Sequence, residues 1–190
     1  MAIGRNAAAV GYRAVGIGES ASASGQFGLA FGSNANASGY RSMALGLGAV
    51  SDGDTSVALG RSARASGASA IAQGSGANAG GYGAVATGEG AAAAGENGVA
   101  LGGQSTAGGY RSAAIGYGAA ASGEHGAAFG RDARASGDTS LALGRSARAT
   151  GTNSIAGGSN ASASGAGAVG VGEGAIASGG ASLAAGRGAA

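Results

Sequence analysis

Short alternations of large apolar and small residues recur along the chain at one fixed spacing. Asp54–Gly67 reads DTSVALGRSARASG, and Asp138–Gly151 repeats it almost verbatim as DTSLALGRSARATG. Aligned on glycine, the chain is a partial unit Met1–Gly11, twelve full 14-residue units ending at Gly25 through Gly179, and a closing partial unit Gly180–Ala190. The consensus is x-x-S-Φ-A-Φ-G-x-x-A-x-A-S-G, with Φ a large apolar residue. Position 7 is Gly from Gly4 to Gly186 without exception, and so is position 14 from Gly11 to Gly179. The alternation Φ-A-Φ has period two, the signature of a strand. A helix interrupted by Gly at every seventh residue would lose about 1 kcal/mol at each, relative to Ala. Each unit therefore predicts a short strand, a Gly-marked turn, a second short strand and another turn: one coil of a solenoid. Glycine serves where the turn needs positive φ or where coils crowd together. Stacked coils pair each strand with its equivalents above and below and so satisfy the backbone amides and carbonyls. Fourteen coils spaced by about 4.8 Å predict a rod roughly 65 Å long. Residues 1–190 form a single array, and the uncapped end coils make it the expected segment of a longer protein.

The half-units predict which side chains point inward. Positions 3 and 5 of the first strand correspond to positions 10 and 12 of the second, and all four are small; position 10 is Ala everywhere except Ser105. Facing small residues let two sheets approach more closely than the usual ~10 Å, which places these positions inside the roll. Alternation then turns positions 11 and 13 outward on the second strand, where Asn36, Arg64, Asn78, Arg134 and Arg148 mark a solvated face. On the first strand positions 4 and 6 point outward. They hold Val15/Ile17, Leu29/Phe31, Met43/Leu45, Val57/Leu59, Val99/Leu101, Leu141/Leu143 and Val169/Val171. Such a stripe exceeds what a soluble monomer exposes. At about 25 cal/mol per Å², covering it would be a dominant stabilising term, so these fourteen residues are the expected interface between subunits. The alternative register packs positions 4 and 6 inside against the alanines of the second strand, and it leaves no stripe to cover.

Composition narrows the class further. There are 45 Gly among 190 residues, with no Pro, Cys or Trp and only three Phe and five Tyr, so a conventional globular core is hard to build. Glycine without a three-residue period or Pro excludes collagen. An apolar content of 44% with 11% charged residues is opposite to the signature of disorder. The absence of Cys excludes a disulfide framework and thiolate metal sites. Net charge is only +2, all basic residues being Arg, which gives little reason to expect nucleic acid as a partner. No stretch of 18 apolar residues and no signal-like leader is present.

The units Ser56-Val57-Ala58-Leu59-Gly60, Ser42-Met43-Ala44-Leu45-Gly46 and Ser112-Ala113-Ala114-Ile115-Gly116 resemble the SVAIG motif of YadA-like heads, which belong to trimeric autotransporter adhesins of Gram-negative bacteria. The likeness recurs in register along the whole chain. It implies an all-β, left-handed parallel β-roll, three chains about a threefold axis, and display at the cell surface. It further implies attachment to a host extracellular matrix protein, a glycan, a cell-surface receptor or other bacteria. Membrane attachment would come only through an outer-membrane anchor that these residues do not include. Two other readings remain at this point: a structural fibre without adhesive function, and an ice-binding solenoid. The second would need a Thr ladder, whereas Thr55, Thr87, Thr106, Thr139, Thr150 and Thr152 are scattered over several repeat positions, with no two in adjacent coils at the same one.

Candidate chemistry is sparse. Arg131 and Arg145 share position 8 in adjacent coils, and Arg134 and Arg148 share position 11. The four are expected to form a basic patch near Asp132 and Asp138, either facing a sulfated glycan or acidic partner or solvated and balanced by those acids. Tyr12, Tyr40, Tyr82 and Tyr110 all occupy position 1, where they serve a binding edge or fill gaps between subunits. Gln73 and Thr87 interrupt the apolar stripe at position 6, as tolerated variation or as a polar layer on a threefold axis. His125 is the sole His and forms neither a ligand set nor a triad. Gly165–Gly170 matches GxGxxG, but in so Gly-rich a chain the match is weak without a βαβ context. No enzymatic activity, cofactor or metal is expected.

Overall fold

A computed structural model describes every residue from Met1 to Ala190. Its contacts divide the chain into two units, Met1–Glu96 and Asn97–Ala190. Each is a parallel β-solenoid without helices, and together they hold about 13 turns of about 14 residues.

In the first unit, three-residue strands at repeat positions 4–6, from Val15–Ile17 to Val85–Thr87, pair in parallel into one sheet. Two-residue strands at positions 11–12, from Ala8–Ala9 to Ala92–Ala93, form the other. Pairing never slips from the 14-residue offset: Ile71, Ala72 and Gln73 stand opposite Val85, Ala86 and Thr87. The second unit repeats this with Val99–Leu101 to Leu183–Ala185 in one sheet and Thr106–Ala107 to Ile176–Ala177 in the other.

Burial decides between the two registers. Ala58, Ala63, Ala65, Ala70 and Ala72 are fully buried, and their repeat equivalents are inaccessible or nearly so in every coil but the terminal ones. Positions 3, 5, 10 and 12 therefore make the interior, and the arrangement with positions 4 and 6 inside is excluded. The space is tight enough to reject even a methyl group in places: a Cβ built on Gly16 would lie 2.5 Å from the carbonyl oxygen of Ala8 in the facing sheet. The largest fully buried side chains are serines. Ser51, standing where other coils have Ala, meets Ser56 at 2.6 Å between hydroxyl oxygens, and Ser56 donates to the Gly53 carbonyl at 2.6 Å. Ser42, Ser112, Ser140 and Ser154 have no hydrogen-bond partner for their enclosed hydroxyls.

The two invariant glycines have different causes. Gly60, at position 7, has φ of +132°, and a Cβ there would stand 2.6 Å from the Gly74 oxygen of the next coil. Gly67, at position 14, has no positive φ; a Cβ would overlap the Gly81 carbonyl. The left-handed residues near +55° are elsewhere, at positions 2 and 9, and nineteen of them are not glycine. They include Arg41, Thr55, His125 and Thr139. Each is the third residue of a four-residue turn, as in the turn closed by the Ala63 amide on the Gly60 carbonyl at 3.3 Å. Type II turns require positive φ at that place. What offsets the local cost, roughly 1–2 kcal/mol for an L-residue, is a bond to the preceding coil: the Thr55 amide donates to the Tyr40 carbonyl at 2.7 Å, and Ser62 to Leu47 at 2.8 Å.

These causes predict opposite outcomes for similar substitutions. Gly67→Ala forces neighbouring coils apart and should cost more than about 3 kcal/mol. Gly76→Ala, at φ +66° with nothing within 4 Å, should cost only about 1 kcal/mol. Thr139→Gly should instead gain about 1 kcal/mol by relieving a β-branched residue in the left-handed region. Chemical denaturation midpoints of the three variants measure the order.

Candidate functional site

Since the interior admits only small side chains, every charged or aromatic residue lies on an outer face or a turn. Four surfaces result in each unit: the outside of either sheet and the two rows of turns.

The outside of the first sheet is apolar. In the first unit Val15, Ile17, Leu29, Met43, Leu45, Val57 and Leu59 are half-buried by their neighbours, and Phe31 is 52% exposed. In the second unit Val99, Leu101, Leu141 and Val169 are half-buried, while Leu143 and Val171 remain 41% and 47% exposed. All fourteen anticipated interface residues thus point away from the alanine interior, and nothing within the chain covers them fully. Gln73 and Thr87 sit side by side on this face in adjacent strands.

One row of turns carries the aromatics. Tyr12 and Phe27 meet edge-on at 5.7 Å between ring centroids, and Phe27 and Tyr40 at 6.0 Å. The Arg13 guanidinium lies 5.3 Å from the Tyr12 ring centroid, and Arg41 lies 5.7 Å from Phe27 and 5.1 Å from Tyr40. In the second unit Tyr110 stacks edge-on with His125 at 5.5 Å, and Arg111 lies over Tyr110. Tyr12, Tyr40 and Tyr110 are therefore rungs of ladders that include position 2, which the spacing of tyrosines alone does not reveal. Tyr82 has no aromatic partner and is 59% exposed.

The outside of the second sheet and the other row of turns divide the four arginines. Arg131 and Arg145 are in the turns: Arg131 donates from Nε to Asp132 Oδ2 at 3.1 Å, and Arg145 to Ser159 Oγ at 3.4 Å. Arg134 and Arg148 are strand residues, directly paired across adjacent strands, and neither has a carboxylate within 4.0 Å. Asp138 does not neutralise them; its Oδ1 accepts the Glu124 amide at 3.1 Å. Arg64, their counterpart in the first unit, does have a partner, Asp52 of the preceding coil at 3.2 Å. Arg134 and Arg148 border a shallow groove of about 380 Å³ lined also by Ala120, Ser122, Ser136 and Thr150.

The GxGxxG segment Gly165–Gly170 runs from a turn into the strand Val169–Val171, with no helix to receive a phosphate. His125 has only the exposed Glu124 carboxylate nearby, at 3.8 Å, besides the Tyr110 ring.

The family model for the YadA head domain repeat matches residues 9–35, 37–63 and the overlapping stretches from 79 to 161, well over half of the chain. The chain belongs to the YadA head family. YadA heads are adhesive and structural modules rather than enzymes, and they imply trimeric autotransporter adhesins displayed outside the cell. No curated protein matches the chain. Within this YadA head the repeat signature falls on the strands of both sheets, so the match and the coil register describe the same periodicity.

The ladder geometry predicts a measurable coupling. A double-mutant cycle on Phe27 and Tyr40 should give about 0.5–1.5 kcal/mol, whereas Tyr82→Ala, at an isolated exposed ring, should change stability by less than about 0.5 kcal/mol.

Proposed function

We propose that this chain is the head of a trimeric bacterial surface adhesin, in which three copies bury the apolar outer faces of their first sheets against one another. The observation that carries the reading is the uncovered apolar face in each unit, opposite a polar one. Fully burying a Val, Leu, Ile, Phe or Met side chain stabilises by about 1.5–3 kcal/mol, and these are roughly half buried already. A dozen per copy would then contribute on the order of 10 kcal/mol, enough to exceed the cost of association at ordinary concentrations. The family supports the number three and the surface location. Assembly of this kind leaves the second sheets and the turns facing outward, where a Gram-negative cell would present them to matrix proteins, glycans or receptors of a host, or to sister cells.

Gln73 and Thr87 weaken the apolar face over two adjacent coils of the first unit without removing it, since Ile71 and Val85 share their strands and Leu59 pairs with Gln73. A fibre that assembles the same way without binding anything is separated by function alone: beads coated with the assembled chain attach to matrix-coated or cell-coated surfaces if it is an adhesin, and do not if it is only a spacer.

Light scattering tests the assembly. The expected mass is three times the 17.0 kDa of one chain. Leu59→Arg with Leu101→Arg should shift it toward the monomer, while Arg64→Ala leaves it unchanged. A folded wild-type monomer at micromolar concentration would contradict the proposal.

A further inference from the structure

The outer face of the second sheet is the surface that the proposed assembly leaves open, and in the second unit it is chemically one-sided. Its positions 11 and 13 hold Thr106, Ala120, Ser122, Arg134, Ser136, Arg148 and Thr150, then Ser162, Ser164, Ile176 and Ser178, with no carboxylate at any of them. In the first unit the same face holds one arginine and one carboxylate, and they pair with each other. The difference lies in what occupies position 13 of the coil before each arginine. Asp52 stands before Arg64, whereas Ser122 stands before Arg134 and Ser136 before Arg148. The two second-unit guanidiniums are exposed, paired by register across neighbouring strands, and open onto the hydroxyl-lined groove.

We infer that this groove binds a sulfated polysaccharide, with Arg134 and Arg148 each holding one anionic group and the Ser122, Ser136 and Thr150 hydroxyls meeting sugar hydroxyls. Guanidinium offers two parallel N–H donors that match the oxygens of a sulfate or carboxylate. Adjacent strands set the two sites about 4.8 Å apart, close enough for the paired guanidiniums to hold neighbouring anionic groups of one chain. Hydroxyls in the same row donate and accept, as sugars require. Single-stranded nucleic acid would need aromatic platforms for its bases, and the groove has none. An acidic peptide would need apolar pockets for its other side chains, and the only apolar residue lining the groove is Ala120. As a charged, solvent-exposed contact it should weaken with added salt.

The inferred groove exists on one chain and does not depend on assembly; its use in attachment rests on the adhesin reading. The test is calorimetric titration of the whole chain with heparin, beside desulfated heparin, oligo-dT and poly-glutamate. Heparin should bind, and Arg134→Gln/Arg148→Gln should weaken it about tenfold or more, the value of lost charge-assisted hydrogen bonds. Ser122→Asp/Ser136→Asp should do the same with both arginines in place, by giving each the internal partner that Arg64 already has. Arg61→Gln/Arg64→Gln removes as much charge from positions 8 and 11 of one first-unit coil and should change affinity less than about twofold. All substituted residues are on the surface, and unchanged unfolding midpoints confirm that the fold is intact. Equal loss in the first-unit variant, no loss in the second-unit variants, or equally tight binding of desulfated heparin, oligo-dT or poly-glutamate would each overturn the assignment. Attachment of coated beads to cells is scored separately. Attachment that persists after enzymatic removal of sulfated glycans would overturn the groove's role in adhesion while keeping the adhesin reading. Heparin binding without any attachment would keep the groove and remove that reading.

Discussion

The close approach of two narrow sheets, separated by little more than methyl groups, is the constraint from which the other features follow. Ala at positions 5, 10 and 12 fills the gap, and at Gly16 even a methyl is refused by the Ala8 carbonyl. A protein interior normally gains its stability from large side chains. Here each coil buries only a few small ones, so the backbone ladder and its perfect 14-residue register carry an unusual share. Interiors are packed densely enough that one added methylene is felt, and a stack of identical coils leaves no slack in which to absorb it. The large apolar side chains that the strands still carry have only one place left, the outside.

Much of this was legible in the sequence because a period of fourteen with two glycines is hard to produce otherwise. Strand positions, interior positions and the orientation of the Val57/Leu59 row all follow from alternation and side-chain size. The turns were less legible. Asn, Ser, Asp and Gly crowd position 9, as a left-handed residue favours, and that row was open to recognition. Position 2 gives no such signal: Arg41, Phe27, Thr55 and His125 are poor candidates for φ near +55°. The inter-coil hydrogen bond that holds them there depends on stacking, which no single unit reveals. The two invariant glycines divide the two expected needs: Gly60 has a positive φ of +132°, whereas Gly67 is required by the carbonyl of the next coil and not by its own dihedrals.

The candidate binding surfaces show the same division. Four arginines at two repeat positions are visible in one unit of sequence and its neighbour, but their inequality is not. It depends on which side chain of the preceding coil lies beside each guanidinium: Asp52 beside Arg64, Ser136 where Arg148 would need an acid. The tyrosines likewise share a position, yet Tyr40 gains Phe27 and Arg41 as neighbours while Tyr82 gains no ring. A repeat makes equivalent positions adjacent, so small departures from the consensus, one per coil, are what distinguish one stretch of surface from another.

Accessibility at three neighbouring positions tests the central claim most directly, because the protein has no cysteine of its own. Single variants Ala58→Cys, Leu59→Cys and Arg64→Cys place a thiol inside the roll, on the apolar face and on the polar face. Thiol labelling of the native protein should modify Arg64→Cys at once and leave Ala58→Cys unmodified until unfolding. Leu59→Cys should be protected at high protein concentration and become reactive on dilution, while the strands are still intact. Labelling of Ala58→Cys in the folded state, with Leu59→Cys protected at every concentration, would put the large side chain inside and contradict the account.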